Sequence, residues 1–211
     1  MKSANEFFSK EEQEKITAAV KAAEAKTSGE IVPMVVDCSY EYPRAELIGG
    51  GTLAMGLGLV VSWAFGGESI WWFLPVFIVG FFIFQRLIRN NPGFKRKLIH
   101  PDELNAEVKE KALVSFLEHG LHETRDKTGI LILISLFERR VQVLADSGIN
   151  EKVPQNTWDE LVEIITSGLK SDKTCEAVCQ AVERCGELLQ QHFPRKADDT
   201  NELPNLIVEN N

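Results

Sequence analysis

Residues 47 to 88 decide the architecture of this chain and read LIGGGTLAMGLGLVVSWAFGGESIWWFLPVFIVGFFIFQRLI. Leu47 to Phe65 is a run of 19 residues without a charge, and Ile70 to Phe84 is a second such run of 15. A helix needs about 20 apolar residues to cross the hydrocarbon core of a bilayer. The second run reaches that length at Ile88, because the side chain of Arg86 can extend to the interface. We therefore predict a transmembrane helical hairpin over 47–88.

The break between the two runs has the composition of an exposed turn. It reads Gly66-Gly67-Glu68-Ser69, and three tryptophans flank it, as in the aromatic belt at a membrane interface: Trp63, Trp71 and Trp72. Inside the first run, small residues recur every four positions: Gly50, Ala54, Gly58 and Ser62. The second run has a matching gap at Gly80. Such a stripe lets a second helix approach closely.

A hairpin buried in a large soluble core is the alternative. We favour the membrane because a helix that is apolar on all sides needs either a core or lipid around it. The rest of this 211-residue chain is too small to enclose both runs.

The charges around the hairpin predict its orientation. Arg44 precedes it, only Glu68 lies in its turn, and a basic cluster follows it: Arg86, Arg89, Lys95, Arg96 and Lys97. Lysine and arginine accumulate on the cytoplasmic side of membrane proteins. We therefore predict two spans in the inner (cell) membrane with both termini cytoplasmic, and we expect the basic cluster to contact anionic headgroups of the bilayer.

Two segments outside the hairpin follow one pattern of helix, tight turn and strand. Residues 9–36 end in KTSGEIVPMVV, and residues 102–136 end in DKTGILILISL. Continuous apolar strands of this kind are buried on both faces and must share a sheet to satisfy their backbones. One lies before the hairpin and one after it, so an even number of crossings is required.

The net charge of −8 also argues against a nucleic-acid partner.

The remaining elements complete a small domain. FERR at 137–140 separates the second strand from VQVLA and predicts an antiparallel pair, and two amphipathic helices follow. The last segment is polar with two prolines, although Leu203, Leu206, Ile207 and Val208 are able to dock. The predicted organisation has four parts: a first half-domain at 1–46, the hairpin at 47–88, a second half-domain at 89–193, and a mobile polar tail at 194–211.

These segments resemble the TPM domain family. The resemblance rests on FFSKEEQEKI, AEAKTSGEIVPMVV, TGILILISLFERRVQVLAD, the Trp158 helix and NELPN near the end. It implies a compact α/β sandwich with a small mixed sheet flanked by helices, here interrupted by the transmembrane hairpin. Members of the family are tied to membranes and include a plant thylakoid protein of photosystem repair and an animal receptor-associated protein. Some have been assigned acid phosphatase activity, sometimes with a divalent ion.

One set of candidate catalytic residues follows the strands. Asp37 comes directly after the first strand, while Glu138 and Arg139 lie in the turn between the second strand and the third. Parallel strands bring these residues to the sheet end where open α/β folds bind ligands, and Arg139 suits a phosphate. The alternative is that this end faces the bilayer, with its arginines on headgroups, and we favour that alternative.

A second pair of carboxylates, Glu30 and Asp146, is expected at the opposite end of the sheet. Together with backbone oxygens they are suited to Ca²⁺ or Mg²⁺. The alternative, which we favour, is that Asp146 only closes its own Asp-Ser-Gly turn. No certain cofactor is predicted, and the four cysteines lack the spacing of a zinc site.

Two functions follow from these features. The first is a cytoplasmic TPM-type domain, anchored in the membrane, that acts as an interaction, assembly or maintenance module for other membrane proteins. The second is a metal-assisted phosphatase acting on phosphate esters or phosphoproteins, and whether the chain is an enzyme stays open. The sequence leaves the oligomeric state open as well.

Overall fold

A computed structural model describes residues 3–66, 70–154, 156–196 and 202–209. The chain divides into two compact units, one formed by residues 40–104 and the other by residues 2–39 together with 105–211. We call the first the hairpin unit and the second the α/β unit. The predicted domain boundaries stay a prediction, and the predicted turn at Glu68 lies outside the described residues.

The α/β unit contains a four-stranded mixed sheet. Its strands are β1 (Glu30–Val36), β2 (Gly129–Ser135), β3 (Arg140–Ala145) and β4 (Ile207–Glu209), in the order β3-β2-β1-β4. Strand β1 is parallel to β2 and to β4, whereas β2 and β3 are antiparallel. The sheet shared by β1 and β2 and the antiparallel β2–β3 hairpin confirm the sequence predictions for these strands, and the parallel direction of β1 and β2 meets the condition under which Asp37 and Glu138 share one end. All residues of β1 and β2 are buried, as their continuous apolar sequences indicate.

Helices cover both faces of this sheet. The helices of the unit are α1 (Ala4–Phe7), α2 (Lys10–Glu24), α6 (Pro101–Glu118), α7 (Ser147–Asn150), α8 (Asn156–Lys170) and α9 (Thr174–His192). The first four residues of α6, 101–104, belong to the hairpin unit. Ile31 and Val35 of β1 join the core with α2, α8 and α9, while Val32 and Met34 join a smaller core with α6. The alternation of side chains along a strand therefore separates two cores. The fold is the predicted helix-flanked mixed α/β sheet.

The end of the chain joins the sheet as an edge strand. Ile207–Glu209 form β4, in register with Met34, Val35 and Val36 of β1. Leu206 and Val208 pack on the larger core, whereas Leu203 and Ile207 pack on the smaller one. The four apolar residues that the sequence suggested are able to dock therefore do so, because the free edge of β1 provides backbone partners for this segment. The mobile polar tail predicted at 194–211 stays a prediction.

The hairpin unit consists of α3 (Pro43–Val61), a π-helical turn (Ser62–Gly66), α4 (Ile70–Asn90) and the short α5 (Pro92–Lys97). The small-residue stripe faces α4, since Gly50, Ala54 and Gly58 are all buried. A Cβ built on Gly80 would lie 3.5 Å from the Cβ of Ala54, which is ordinary contact. Gly80 of α4 therefore packs against the small residues of α3 in the same chain, as its position in the sequence predicts.

The first helix of the hairpin unit begins at Pro43, four residues before the predicted start of the span. The reason is Glu46, which is only 5% exposed although it is charged. Its Oε2 accepts from Arg89 Nε at 2.9 Å and its Oε1 from Lys95 Nζ at 2.7 Å. Two cations from the other end of the hairpin thus neutralise the carboxylate and let the helix continue through it.

Candidate functional site

The predicted carboxylates lie at opposite ends of the sheet. Because β1 and β2 are parallel and in register from Glu30 opposite Gly129 to Val36 opposite Ser135, their first residues share one end. Glu30 and Asp146 lie at that end, and Asp37 and Glu138 lie at the other. We refer to these as the Glu30 end and the Glu138 end.

At the Glu30 end, Gly129 separates the two carboxylates. Glu30 is its register partner in β1, and the Asp146 N–H donates to the Gly129 carbonyl at 2.9 Å. All three residues therefore belong to one row across the sheet, and Glu30 lies on the same face of β1 as Val32 and Met34, which pack with α6. Glu30 is 6% exposed, and its Oε1 accepts from the backbone N–H of Glu202 at 3.1 Å.

Asp146 uses only one of its carboxylate oxygens. Its Oδ1 caps α7 by accepting from Ser147 N at 2.6 Å and from Ser147 Oγ at 3.0 Å. This is the turn-closing role that the sequence analysis favours. Its Oδ2 is buried and has no hydrogen-bond partner among the described residues. A buried carboxylate oxygen without a donor is costly, so a cation at this point would stabilise it.

A backbone carbonyl lies above the row between these carboxylates. A Cβ on Gly129 would lie 2.4 Å from the carbonyl oxygen of Leu121, so only glycine fits beneath it. Carbonyl oxygens are common ligands of Ca²⁺. Leu121 could not be identified as a possible ligand from the sequence, because an apolar side chain does not indicate what its backbone oxygen contacts. Within the described residues, no cluster of three histidine, cysteine, aspartate or glutamate side chains has the geometry to hold a metal ion.

At the Glu138 end, the carboxylates accept hydrogen bonds from the protein itself. Glu138 is 2% exposed, its Oε1 accepts from Ser39 N at 3.0 Å, and its Oε2 accepts from Ser135 Oγ. Asp37 Oδ1 accepts from Ala4 N at 2.5 Å. These contacts tie the ends of β1 and β2 to the segments that follow them. Both carboxylates therefore have a structural use in the fold.

Arg139 does not join Asp37 and Glu138 in an ion pair. It is exposed in the four-residue turn between β2 and β3, and it has no hydrogen bond or ion pair to another described residue. Its φ of 54° is left-handed, a conformation for which glycine or asparagine is the usual choice. This positive φ explains how the turn closes without either residue.

The five basic residues predicted to contact the membrane have different environments. Arg89 and Lys95 contact Glu46, and the Lys95 side chain is only 12% exposed. Lys95 Nζ also donates to the Glu41 carbonyl. Arg86 and Lys97 are exposed, and Arg96 is half-buried. Arg89 and Lys95 thus have contacts inside the hairpin unit.

Glu209 in β4 is a second carboxylate with two basic partners. Nothing in the sequence predicted these contacts. Glu209 Oε2 accepts from Lys111 Nζ at 2.8 Å, and Glu209 Oε1 lies 3.2 Å from His119 Nε2. Burial alone raises the pKa of the Glu209 carboxyl, but the bonds and charges of Lys111 and His119 outweigh it and hold the pKa below its ordinary value. Ninety residues separate Glu209 from His119, so no local motif indicates the pair.

The four cysteines are free thiols. Cys185 is fully buried, and that burial raises the pKa of its thiol to about 12. Its thiol is therefore unreactive in the folded chain.

Part of the chain matches a known protein family. Residues 98–188 match the TPM domain family. This match confirms the resemblance over the second half of the α/β fold. A comparison with curated proteins finds none that matches the chain.

A solved structure shares the fold. The chain is similar to the NMR structure of the BA42 protein from the psychrophilic bacterium Bizionia argentinensis, with a TM-score of 0.61 and 21% sequence identity. The alignment covers 98% of this chain and 97% of that one. At this level of identity the similarity shows the fold alone. The chemistry of the chain has to be inferred from its own residues.

Proposed function

We propose that this chain is a membrane-anchored interaction module. In this proposal α3 and α4 cross the inner (cell) membrane as a two-span hairpin with both termini in the cytoplasm. The α/β unit binds other membrane proteins on the cytoplasmic side and supports their assembly or maintenance.

The surface of the hairpin supports the membrane anchor. Pro43–Phe65 and Ile70–Asn90 have 23 and 21 residues and are long and apolar enough to span a bilayer. Only 17% and 6% of their most apolar windows are buried within the structure, whereas a core helix of a soluble protein is mostly buried. Trp63 and Trp71 are 83% and 81% exposed. Lipid is the solvent that such a surface requires.

The observation that carries the binding role is an apolar patch on α6. Leu113, Val114 and Leu117 are 56%, 40% and 50% exposed, and their positions at i, i+1 and i+4 place them on one side of the helix. Val108, Ala112 and Phe116 form the opposite side and pack in the smaller core. We call the three exposed residues the α6 patch. Contiguous exposed apolar side chains on a soluble unit mark a protein contact surface.

The small-residue stripe does not support this role. A stripe of this kind is able to pack against a helix of another protein, but Gly50, Ala54 and Gly58 are buried against α4 of the same chain. The α6 patch therefore replaces the stripe as the basis of the proposal.

Site-specific photo-crosslinking in intact membranes tests the proposal. A photoreactive amino acid at Leu113 should give a discrete crosslink to another membrane protein, and the same probe at Glu187, exposed on α9, should not. Replacing Leu113 and Leu117 by serine should abolish the crosslink from Val114. Equal crosslinking from Glu187, or none from any patch position, would refute the binding role.

A metal-assisted phosphatase is the second candidate, and one observation favours it. Asp146 Oδ2 is buried without a partner among the described residues, and Asp146 shares a row of the sheet with the buried Glu30 and with Gly129, over which the Leu121 carbonyl lies. A divalent ion held by these oxygens would polarise a phosphoryl group. The other candidate set, Asp37 with Glu138 and Arg139, has no comparable feature.

The purified chain tests this candidate with Ca²⁺, Mg²⁺ and a generic phosphate ester. The candidate expects either ion to raise the melting temperature, Asp146→Asn to remove that increase, and ester turnover to depend on Asp146. Asp126→Asn provides a matched control, since Asp126 is a half-buried aspartate already paired with Lys196. Turnover that survives in Asp146→Asn, or none at any pH with either ion, would eliminate the candidate.

A further inference from the structure

The hairpin unit contains a groove beside the first half of α3. It has a volume of about 410 Å³ and is walled by α3 on one side and by Phe94, Leu98 and Ile99 on the other. Two adjacent rows of α3 form its floor: Arg44, Ile48 and Thr52, and Ala45, Gly49 and Leu53. At 1.5 Å per residue these rows extend for about 12 Å along the helix axis.

The groove exists because of a close contact at Gly49. A Cβ at this position would lie 2.8 Å from Leu98 Cδ1 and 2.9 Å from Ile88 Cδ1. Leu98 therefore rests directly on the helix backbone and forms a wall one to two turns above Arg44. Phe94 and Leu98 remain 46% and 42% exposed, so this wall presents apolar surface to whatever occupies the groove.

The lining combines apolar and charged side chains. Ile48, Leu53, Phe94 and Leu98 are apolar, while Arg44 in the first turn of α3 and Glu103 in the first turn of α6 add a cation and an anion. Neither Arg44 nor Glu103 has a hydrogen bond or ion pair to another described residue. The site thus offers one anion-binding group, one cation-binding group and an apolar channel that follows a predicted span.

We propose that this groove binds a phospholipid with a primary ammonium headgroup, of the phosphatidylethanolamine class. Arg44 binds the phosphate, Glu103 accepts hydrogen bonds from the ammonium, and one acyl chain lies along Ile48 and Leu53. Charge complementarity selects this headgroup: a headgroup with phosphate alone leaves Glu103 facing an anion, and a choline headgroup has no N–H to donate. The inference rests on the membrane insertion in the proposed function.

Native mass spectrometry of the full chain in detergent tests the site with three lipids of identical oleoyl chains. The wild type should hold phosphatidylethanolamine about tenfold more tightly than phosphatidylcholine or phosphatidylglycerol, the contribution of one charge-assisted hydrogen bond. Glu103→Gln should bring the affinity for phosphatidylethanolamine down to that for phosphatidylcholine. Arg44→Gln should weaken the binding of all three lipids.

A pair of tryptophan variants tests the apolar channel. Leu53→Trp fills the groove and should weaken all three lipids, whereas Leu59→Trp, on an exposed part of α3 outside the groove, should not. Equal affinity of the wild type for the three lipids, or an ethanolamine preference that survives Glu103→Gln, would overturn the proposal. Either result would leave membrane insertion and crosslinking from the α6 patch unaffected, so the two proposals fail separately.

Discussion

Helices pack against each other through glycine in both units of this chain, yet their outer surfaces differ completely. In the α/β unit, a Cβ on Gly168 of α8 would lie 2.2 Å from the Cβ of Ala177 in α9. In the hairpin unit, a Cβ on Gly50 of α3 would lie 3.1 Å from the backbone nitrogen of Gln85 in α4. Close approach is therefore common to both pairs, and it carries no information about the surrounding solvent.

The solvent is indicated by the side chains that face away from the contact. The buried face of α9 includes Val178, Val182 and Leu189, while exposed positions such as Glu183 and Glu187 are charged. On α3 and α4 the outward positions are leucine, valine, isoleucine and phenylalanine. The comparison teaches that the membrane prediction depends on the outer surface and that the glycine stripe only explains the pairing.

The two units also treat a paired carboxylate differently. Glu46 in the hairpin unit is 5% exposed with Arg89 and Lys95 as partners, whereas the Glu209 side chain in the α/β unit is 29% exposed with Lys111 and His119. Removing a partner from a buried carboxylate is more costly than removing one from a half-exposed carboxylate.

Overpacking the α8–α9 contact should give the largest effect. Gly168→Val adds a branched side chain where a single Cβ already lies 2.2 Å from Ala177 and 3.1 Å from the Lys173 carbonyl oxygen. We expect the free energy of unfolding of the α/β unit to fall by about 3 kcal/mol. The rate at which Cys185 reacts with a thiol reagent, read by mass spectrometry, reports this opening. An unchanged rate would show that the helices separate freely.

The pair at Glu46 should have the next largest effect. Lys95→Met leaves Glu46 with Arg89 alone and should destabilise the end of α4 by about 2 kcal/mol. Hydrogen exchange at the amides of Arg89 and Asn90 should then accelerate about 30-fold in detergent. Lys97→Met is the control, because Lys97 is exposed, and it should change exchange by less than about twofold. Equal effects of the two variants would contradict the role of Glu46.

The Glu209 anchor should have a smaller, pH-dependent effect. Because the folded-state pKa of Glu209 lies below its ordinary value of 4.5, its contribution is present above that pH and is lost as the pH falls through the folded pKa. The protection factors of the β4 amides, which correct the exchange rates for the intrinsic effect of pH, should therefore fall on acidification below about pH 4.5. Glu209→Gln should weaken docking by about 1 kcal/mol at neutral pH and remove this acid-dependent step. A wild-type acid profile retained in Glu209→Gln would show that another group releases the strand.

A glycine outside the contacts should have the smallest effect. A Cβ on Gly56 of α3 meets nothing within 4 Å. Gly56→Ala should therefore change hairpin stability by less than about 1 kcal/mol, in the stabilising direction set by helix propensity. An SDS titration followed by circular dichroism measures this change. A large destabilisation would mean that this side of α3 contacts another helix, such as that of a partner.

Much of the fold was predictable because its signals are local. The apolar runs, the two helix-strand copies and the β2–β3 hairpin all follow from residues close in sequence. Strand β4 was not predicted as a strand because three residues have too little periodicity, and its partner β1 lies about 170 residues earlier. The early start of α3 was missed for a similar reason, since the cations that neutralise Glu46 follow it by 43 and 49 residues.

The candidate site was predictable in position and less so in use. Parallel strands place Glu30 with Asp146 and Asp37 with Glu138, as the sequence indicates. Which oxygen of Asp146 caps a helix, and which serines satisfy Glu138, depends on side-chain contacts that no spacing rule specifies. The groove beside Arg44 combines residues from three segments, so its composition became visible only in the folded chain.

Cysteine labelling in intact cells tests the membrane hairpin most directly. Single cysteines at Ser39, Glu68 and Asn91 are exposed to a membrane-impermeant maleimide, with Cys38 replaced by alanine because it adjoins position 39. Modification is read peptide by peptide, so the other native thiols can stay. The account predicts labelling of position 68 from outside, and labelling of positions 39 and 91 only after the membrane is permeabilised. Labelling that places 39 and 91 on opposite sides, or a chain that stays in solution without detergent, would contradict it.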